Sequence, residues 1–395
     1  MFLVDMNAFF ISCEMTRNPS LVGIPAAVAG DPKKRTGIIL AANYEARSFG
    51  VKTTMVIHEA LKHCPKLILV PPDHHFYGQK SEEVMNLLSN YTPALEQNSI
   101  DEAWLDMTGS EGLFGKPVAS ANRIMDEIKD RLGLWCSIGI AENKFLAKMA
   151  AEMKKPLGIT ELWEQDIPIK LWPLPVKELY GVGGKTAEKL NRMGIKTIGD
   201  LAISKEKLIV KTFGKGGFEI YQHANGIDNS PVLARADDDI KSIGREKTLQ
   251  EDITDIEKAK IVLMELADDI GMTVREQGKK GHTVHIKLKY SDFHSVTRQT
   301  TIPATFITKE IYKAGCNLLE QNWNKFLPVR LIGISISGFH EDCSSDQLSL
   351  FDKIDDNVKS GKNEKIDKAM DQIRNKYGPE KIIVATLVKT EKGKQ

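Results

Sequence analysis

Several things are scarce in this sequence. It has only five cysteines, Cys13, Cys64, Cys136, Cys316 and Cys343. They are odd in number, far apart and without paired spacing. That argues against a disulfide framework and a cysteine zinc site, and for a reducing cytoplasm. No apolar run approaches the ~20 residues that span a bilayer. No basic segment precedes an apolar one at the N-terminus, so neither a signal peptide nor a membrane partner is expected. An excess of one charge is missing too: 54 Lys and Arg against 53 Asp and Glu give a net charge of +1. A neutral total does not exclude nucleic acid, because acids at a metal site can offset bases along a groove. Charge has to be read locally. No internal repeat is present.

What is there is enough for two to four globular domains: 395 residues, 42% hydrophobic and 27% charged. Phe2-Leu3-Val4 reads as a strand ending in Asp5-Met6-Asn7, with a helix opening at Ala8. Strands are expected at Ala26–Ala29 and Gly37–Ala41. Ser81–Tyr91 has a helical face of Val84, Leu87 and Leu88. Ser99–Met107 alternates like a strand, Val118–Leu132 like an amphipathic helix. Trp135–Ile140 is a further strand, and Asn143–Lys155 a helix stopped by Pro156 and Gly158. Strand, helix, strand-strand, helix, strand is a ferredoxin-like pattern. A helical region follows, then a polar linker, a second α/β unit and a polar tail.

Acidic residues stand at two strand positions. Asp5 ends the first strand, and Asp101-Glu102 lies within Ser99-Ile100-Asp101-Glu102-Ala103. Adjacent acids in a central strand are costly unless something binds them. Strand neighbours point to opposite faces, so both can serve one site only where the strand turns or bulges. Such a cluster suits Mg²⁺, a hard ion that prefers carboxylate and phosphate oxygens, and phosphoryl transfer would be its chemistry. On the acids alone, a helix cap at Asp5 and a surface strand end at Asp101-Glu102 are equally good readings.

The longer blocks decide between them. Val4-Asp5-Met6-Asn7-Ala8-Phe9-Phe10, Ala42-Asn43-Tyr44-Glu45-Ala46-Arg47-Ser48-Phe49-Gly50-Val51 and Ser99-Ile100-Asp101-Glu102-Ala103 resemble, in order and spacing, the signature blocks of Y-family translesion DNA polymerases, nearest to the bacterial polymerase IV group. The resemblance spans about residues 1–340. It implies an α+β right-hand polymerase of several domains: a ferredoxin-like palm (1–10 and 74–162), fingers (11–73), a helical thumb (163–230), a linker (231–240), an α/β little finger (241–340) and a tail (341–395). It implies that Asp5 and Asp101 ligate two Mg²⁺ ions, with Mn²⁺ as a substitute, that Glu102 ligates the ion nearest the primer 3′-hydroxyl, and that the Met6 carbonyl adds a ligand. Phe9 and Phe10 would border the nucleotide. Phe10 would exclude a 2′-hydroxyl, the atom that separates RNA from DNA precursors; alone it would read as a core residue. Tyr44, Arg47 and Lys155 would hold the triphosphate, with Lys154 left open as an alternative. Asn7 replaces the Asp of many relatives at a position that is not a metal ligand. Ala41 replaces a Thr, so one hydroxyl contact to the triphosphate is expected to be missing.

Primer-template DNA and dNTPs are the implied substrates. Leu179-Tyr180-Gly181-Val182-Gly183-Gly184-Lys185-Thr186 fits a helix-hairpin-helix, in which Gly181, Gly183, Lys185 and Thr186 would approach a phosphate without reading base sequence. Its plain alternative is an ordinary helix turn. In the second unit, His285, Lys287 and Lys289 alternate onto one strand face, and a second strand carries Thr297 and Arg298. With Arg245 they would track phosphates; singly, each basic residue reads as a solubility charge. His74-His75 reads as structural.

Gln347-Leu348-Ser349-Leu350-Phe351 resembles a bacterial sliding-clamp binding peptide, with Gln347, Leu348, Leu350 and Phe351 as its contacts. Beyond it, Ile366, Ala369, Met370, Ile373 and Tyr377 form an apolar stripe ended by Gly378-Pro379, and Lys381–Val388 holds an apolar run. A monomer is expected. Two other functions fit less well: an inactive polymerase-like adaptor, opposed by the intact acids, and a nucleotidyl cyclase, opposed by the hairpin and the clamp peptide.

Overall fold

Every residue of β1 (Phe2–Met6) is buried. The apolar start of the chain therefore becomes the middle of a sheet rather than an edge. In the computed structural model, the described residues are 1–31, 37–233, 240–339 and 354–387, with backbone alone for 354–360 and 379. They form two units, Met1–Arg235 and Ala236–Gln395.

In the first unit, β1 leads into α1 (Phe9–Arg17). Then come β2 (Ala26–Ala29), β3 (Ile39–Ala42), α2 (Tyr44–Ser48), α3 (Ile57–His63) and β4 (Ile68–Val70). These three strands make a small sheet in the order β3-β2-β4 around a core of Ala27, Ile39, Val51 and Ile57. The chain returns through α4 (His74–Leu88), β5 (Leu95–Gln97), β6 (Glu102–Leu105), α5 (Glu111–Phe114), α6 (Pro117–Leu132), β7 (Cys136–Ile140), α7 (Lys144–Met153) and β8 (Ile159–Glu161). The main sheet runs β5-β6-β1-β7-β8. Its first four strands have the ferredoxin-like order, with β1 antiparallel to both neighbours.

Two elements differ from the sequence reading. Helix α4 begins at His74 rather than Ser81, because Asp73 caps it by accepting the Phe76 amide at 3.1 Å and Tyr77 is fully buried. Ser99–Asp101 is not strand. It is the turn of a β5-β6 hairpin, closed by the Asn98 amide donating to the Glu102 carbonyl at 3.0 Å.

Gly139 on β7 lets α7 lie directly on the sheet. A Cβ there would meet the Ala147 carbonyl oxygen at 2.0 Å and the Ala151 nitrogen at 2.5 Å. The other side of α7 buries Phe145, Leu146 and Met149 in a second core with Leu171, Val176, Leu190, Ile198 and Ile209. These belong to a helical region with α8 (Gly184–Arg192), α9 (Ile198–Ala202), α10 (Glu206–Phe213) and α11 (Lys215–Ala224).

The second unit contains β9 (Ser242–Ile253), α12 (Ile256–Glu276), β10 (Gly281–Tyr290), β11 (Ser295–Thr305), α13 (Thr308–Asn322), β12 (Val329–Phe339) and α14 (Ile354–Tyr377). Its sheet runs β11-β10-β12-β9. Val284, Ile286, Leu288 and Tyr290 of β10 are buried with Leu263, Ile270, Ile311 and Leu319 of α12 and α13. Helix α14 docks differently from the expected apolar stripe. Ile366 and Tyr377 of that stripe are exposed. The docked face is Asp367, Asp371 and Arg374, spaced to share one side of a helix. Arg275 reaches Asp371 at 2.5 Å and Asp367 at 3.2 Å, and Arg374 reaches Asp268 at 2.7 Å. The stripe rule assumes that a helix docks through apolar residues; this one meets charges already placed on α12. The Lys381–Val388 run contributes a short turn at Ala385–Leu387, and Ile383 is exposed.

Candidate active site

β1 ends in the tight turn Met6-Asn7-Ala8. Ala8 adopts left-handed backbone, φ 47° and ψ 46°, and caps α1 without a side-chain bond. That rules out Asp5 as the cap and leaves its carboxylate for the cleft. Asn7 is 1% exposed. Its Nδ2 donates to Ser137 Oγ at 3.0 Å, and its Oδ1 accepts the Leu157 amide at 2.9 Å. Asn7 thus ties β1 to β7 and to the loop carrying Lys155.

Asp5 lies opposite Glu102 of β6 and Ser137 of β7. Directly opposed residues share a sheet face, so Asp5 and Glu102 project together. Asp101 precedes β6, in the hairpin turn, and its carbonyl accepts the Met6 amide at 2.9 Å. This turn is what lets neighbouring acids reach one cleft despite strand alternation. The cleft has a volume of about 360 Å³. Asp5, Met6, Phe9, Phe10, Tyr44, Arg47, Asp101, Glu102 and Lys155 all line it, together with Ala41 and Thr53. Lys154 is exposed and outside that lining.

Two lysines and a glutamate complete the charge pattern. Lys148 of α7 lies 3.3 Å from Asp5 Oδ2 and 3.3 Å from Glu152, and it pairs with Glu102. Lys155 lies 2.8 Å from Asp5 Oδ1 and 2.9 Å from Glu152. Burial raises the Asp5 pKa, against the pull of Lys155 and Lys148. Burial lowers both lysines, yet Asp5 and its fellow acids carry them above their ordinary values. Glu152 ends below its ordinary value because Lys155 and Lys148 outweigh its burial. Sequence reasoning passed over Lys148 and Glu152. Their helical spacing was visible, but which face meets β1 is a tertiary fact.

Phe10 is held from behind. Its ring stacks on Tyr77 with centroids 4.5 Å apart and meets His74 edge-on at 5.8 Å. The Tyr77 hydroxyl donates to Glu14 at 2.6 Å, and Glu14 is paired with Arg17. On the opposite wall, Asn43 accepts the Ala46 amide at 3.0 Å and starts α2. The Arg47 guanidinium lies 4.9 Å over the Tyr44 ring and donates to the Ala42 carbonyl at 2.9 Å. Tyr44 Oη is buried with no hydrogen-bond partner among the described residues. An orphaned hydroxyl facing a cationic wall fits a phosphate oxygen.

The donor set fits a hard divalent cation. The cleft offers four carboxylates, Asp5, Asp101, Glu102 and Glu152, and no thiol or imidazole. Among the described residues, no three acidic, His or Cys side chains are gathered into a metal-holding group; Asp5 and Glu102 share the Lys148 ammonium instead.

The DNA-side residues separate into two groups. Gly181 takes φ 92°, a left-handed value that suits glycine, and Gly183 caps α8. Gly181, Gly183 and Lys185 are exposed and Thr186 half-buried, all at one turn. In the second unit, Lys287 lies opposite Thr297 and Lys289 opposite Ser295, on the sheet face away from α12 and α13. Arg298 lies opposite the buried Ile286, and Arg245 opposite the buried Ile334. Register therefore turns these two arginines to the helix-bearing side, and Arg245 reaches Thr273 of α12 at 3.2 Å. They do not join the face that carries Lys287 and Lys289. Strand alternation separates Thr297 from its neighbour Arg298. Gln347, Leu348, Leu350 and Phe351 lie outside the described residues.

Three family models match this chain in sequence order. The impB/mucB/samB family matches residues 4–152, the helix-hairpin-helix motif of that family 164–195, and its C-terminal domain 240–350. The chain belongs to the impB/mucB/samB family. It is 60% identical over 99% of its length to DNA polymerase IV of Clostridium kluyveri, covering 98% of that protein. It is 60% identical over 98% of its length to DNA polymerase IV of Alkaliphilus oremlandii, again covering 98%. DNA polymerase IV 1 of Bacillus subtilis is 40% identical over the whole chain, with 94% of that protein covered. A solved Y-family DNA polymerase chimera superposes with a TM-score of 0.77 at 27% identity, over 86% of this chain and 98% of its own. The fold is that of a Y-family polymerase, with the ferredoxin-like sheet as palm. Helix α14 lies beyond the last residue that the family models match.

Proposed function

We propose that this chain is a template-directed DNA polymerase of the translesion class, adding dNTPs to a primer 3′-end by two-metal-ion phosphoryl transfer. One observation supports this above the others. Asp5, Asp101 and Glu102 share a cleft with Tyr44, Arg47 and Lys155, and Phe10 forms part of its wall. Acids for metal, cations for phosphate and a ring for the sugar are what the reaction needs in one place.

Asp5, Asp101, Glu102 and the Met6 carbonyl would hold two Mg²⁺ ions, with Mn²⁺ as a substitute. Bound there, such ions activate an attacking hydroxyl and stabilise the leaving pyrophosphate. The protein's own part is positioning. Lys155 and Arg47 offset triphosphate charge, and Tyr44 Oη donates to a phosphate oxygen. Phe10, backed by Tyr77, leaves no room beneath C2′ for a hydroxyl. The turn at Gly181–Thr186 and the Lys287, Lys289 and Thr297 face take DNA phosphates without regard to base sequence. Gln347–Phe351 binds a sliding clamp weakly and acts by tethering, which raises the local concentration of polymerase at a primer end. Leu350→Ala with Phe351→Ala should leave clamp-free extension intact and abolish its stimulation by clamp.

The bypass reading is tested by extending a primer on matched templates with and without one abasic site. Synthesis past the site at an appreciable fraction of the normal rate supports it. Arrest opposite the site, with normal extension elsewhere, leaves an ordinary polymerase.

A further inference from the structure

After α11 the chain crosses back to the catalytic sheet, and three consecutive residues at the start of α7 hold it there. Asn143 Nδ2 donates to the Gly226 carbonyl at 2.8 Å. The Phe145 amide donates to Asp228 Oδ2 at 3.0 Å. Between them, Lys144 Nζ donates to the Pro231 carbonyl at 3.3 Å. Lys144 is also held by both oxygens of Glu96, each at 2.7 Å. Glu96 Oε2 in turn accepts the Leu233 amide at 2.8 Å. The lysine side chain is 10% exposed and the glutamate 21%. The ammonium lies 4.4 Å over the Trp104 ring, and Trp104 Nε1 donates to the Lys144 carbonyl.

We infer that Glu96 and Lys144 are positioning residues that fix where the tether to the second unit leaves the first. The pair does more than neutralise itself. Its cation takes a backbone carbonyl of the departing chain, and its anion takes a backbone amide two residues on. Side chains of β5 and α7 thus partner backbone groups of the departing chain. The linker is expected at 231–240; within it Pro231 and Leu233 bond to Lys144 and Glu96, so at most residues 234–241 join this anchor to β9 at Ser242. An extended chain over residues 234–241 reaches about 28 Å. Release back to Asp228 would lengthen the tether to residues 229–241. Local concentration falls roughly as the −3/2 power of length, so the second unit would be about twofold more dilute near the palm. Glu96 is on β5, next in the sheet to the β6 strand that carries Glu102, so the origin of the tether is set by the framework of the catalytic carboxylates.

The test uses the full chain and amide hydrogen exchange at Leu233, a readout independent of polymerase activity. Wild type is compared with Glu96→Gln, Lys144→Met and the swapped double variant Glu96→Lys, Lys144→Glu. The swap restores opposite charges but sets an ammonium against the Leu233 amide and a carboxylate against the Pro231 carbonyl. The Leu233 amide should therefore exchange ~10-fold or more faster in Lys144→Met and in the swap, while the swap regains most of the thermal stability lost in Lys144→Met. DNA affinity should fall about twofold in both, with single-nucleotide insertion from saturating DNA unchanged. Wild-type protection of Leu233 in the swapped variant would overturn the inference and reduce the pair to a structural ion pair. So would an unprotected Leu233 in wild type.

Discussion

Phe10 lies nearly flat on Tyr77, with ring centroids 4.5 Å apart and planes 14° apart. The ring that faces the nucleotide cleft is thus fixed by one that is itself buried and bonded to Glu14. Sugar selection should depend on both. Phe10→Ala should raise ribonucleotide insertion relative to deoxyribonucleotide by about 10- to 200-fold, the usual worth of one shape contact. Tyr77→Ala should give a smaller rise and lose stability, while Tyr77→Phe keeps the stack and its selectivity. The ratio of rNTP to dNTP insertion efficiency measures each case.

Ala41 lines the same cleft without offering a hydroxyl. Ala41→Thr should lower KM for dNTPs severalfold and leave kcat nearly unchanged, since it adds binding common to ground and transition states. Steady-state insertion of a single nucleotide reads both. An unchanged KM would place the missing contact elsewhere, with Thr53 among the hydroxyls of the lining.

His223 stacks on Phe145 at 4.2 Å, where helical region and palm meet. Its Nδ1 is buried without a partner among the described residues. Burial lowers its pKa, with Asp228 pulling the other way. A depressed folded pKa means stability that is complete above the unfolded value of 6.5 and lost as pH falls through the folded value. Wild type should therefore lose more Tm than His223→Phe between pH 7.5 and 5.5. Parallel losses would show that His223 does not drive the pH response.

Arg275 and Arg374 hold α14 through pairs whose side chains are only 7–14% exposed. Removing one member of a buried pair strands the other's charge, at a cost of about 3–5 kcal/mol. Arg374→Met should destabilise the second unit accordingly, and chemical unfolding followed by a probe in that unit checks it. Joint replacement of Arg374 and Asp268 by apolar residues should recover much of the loss, because no charge is then left alone.

The amount legible in the sequence varied with the reach of the physics involved. Strand ends and helix periods are local, so β1, α6, β7 and α7 were readable from apolar spacing and stop signals. Alternation lets Asp101 and Glu102 share one site only where the strand turns or bulges, and the hairpin turn at Ser99–Asp101 meets that condition. Lys148 reaches Asp5, 143 positions away, and Asn7 reaches Ser137, 130 positions away; Glu152 joins the site through Lys148 and Lys155. No window on the sequence shows such contacts. Arg245 and Arg298 carry the charge that a phosphate track needs, but the parity of their strand positions places them on the other side. In α14 the apolar stripe is present in the sequence, yet the docked face is ionic, because the partner surface chose it.

The most direct test of the central claim is primer extension by wild type and by an Asp101→Ala, Glu102→Ala variant, with Mg²⁺ and dNTPs on an undamaged template. Wild type should extend the primer, and the variant should stay folded, bind DNA and extend nothing. A folded, DNA-binding wild type that adds no nucleotide would contradict the account and leave a polymerase-shaped adaptor. Extension by the variant at the wild-type rate would remove the metal site from Asp101 and Glu102.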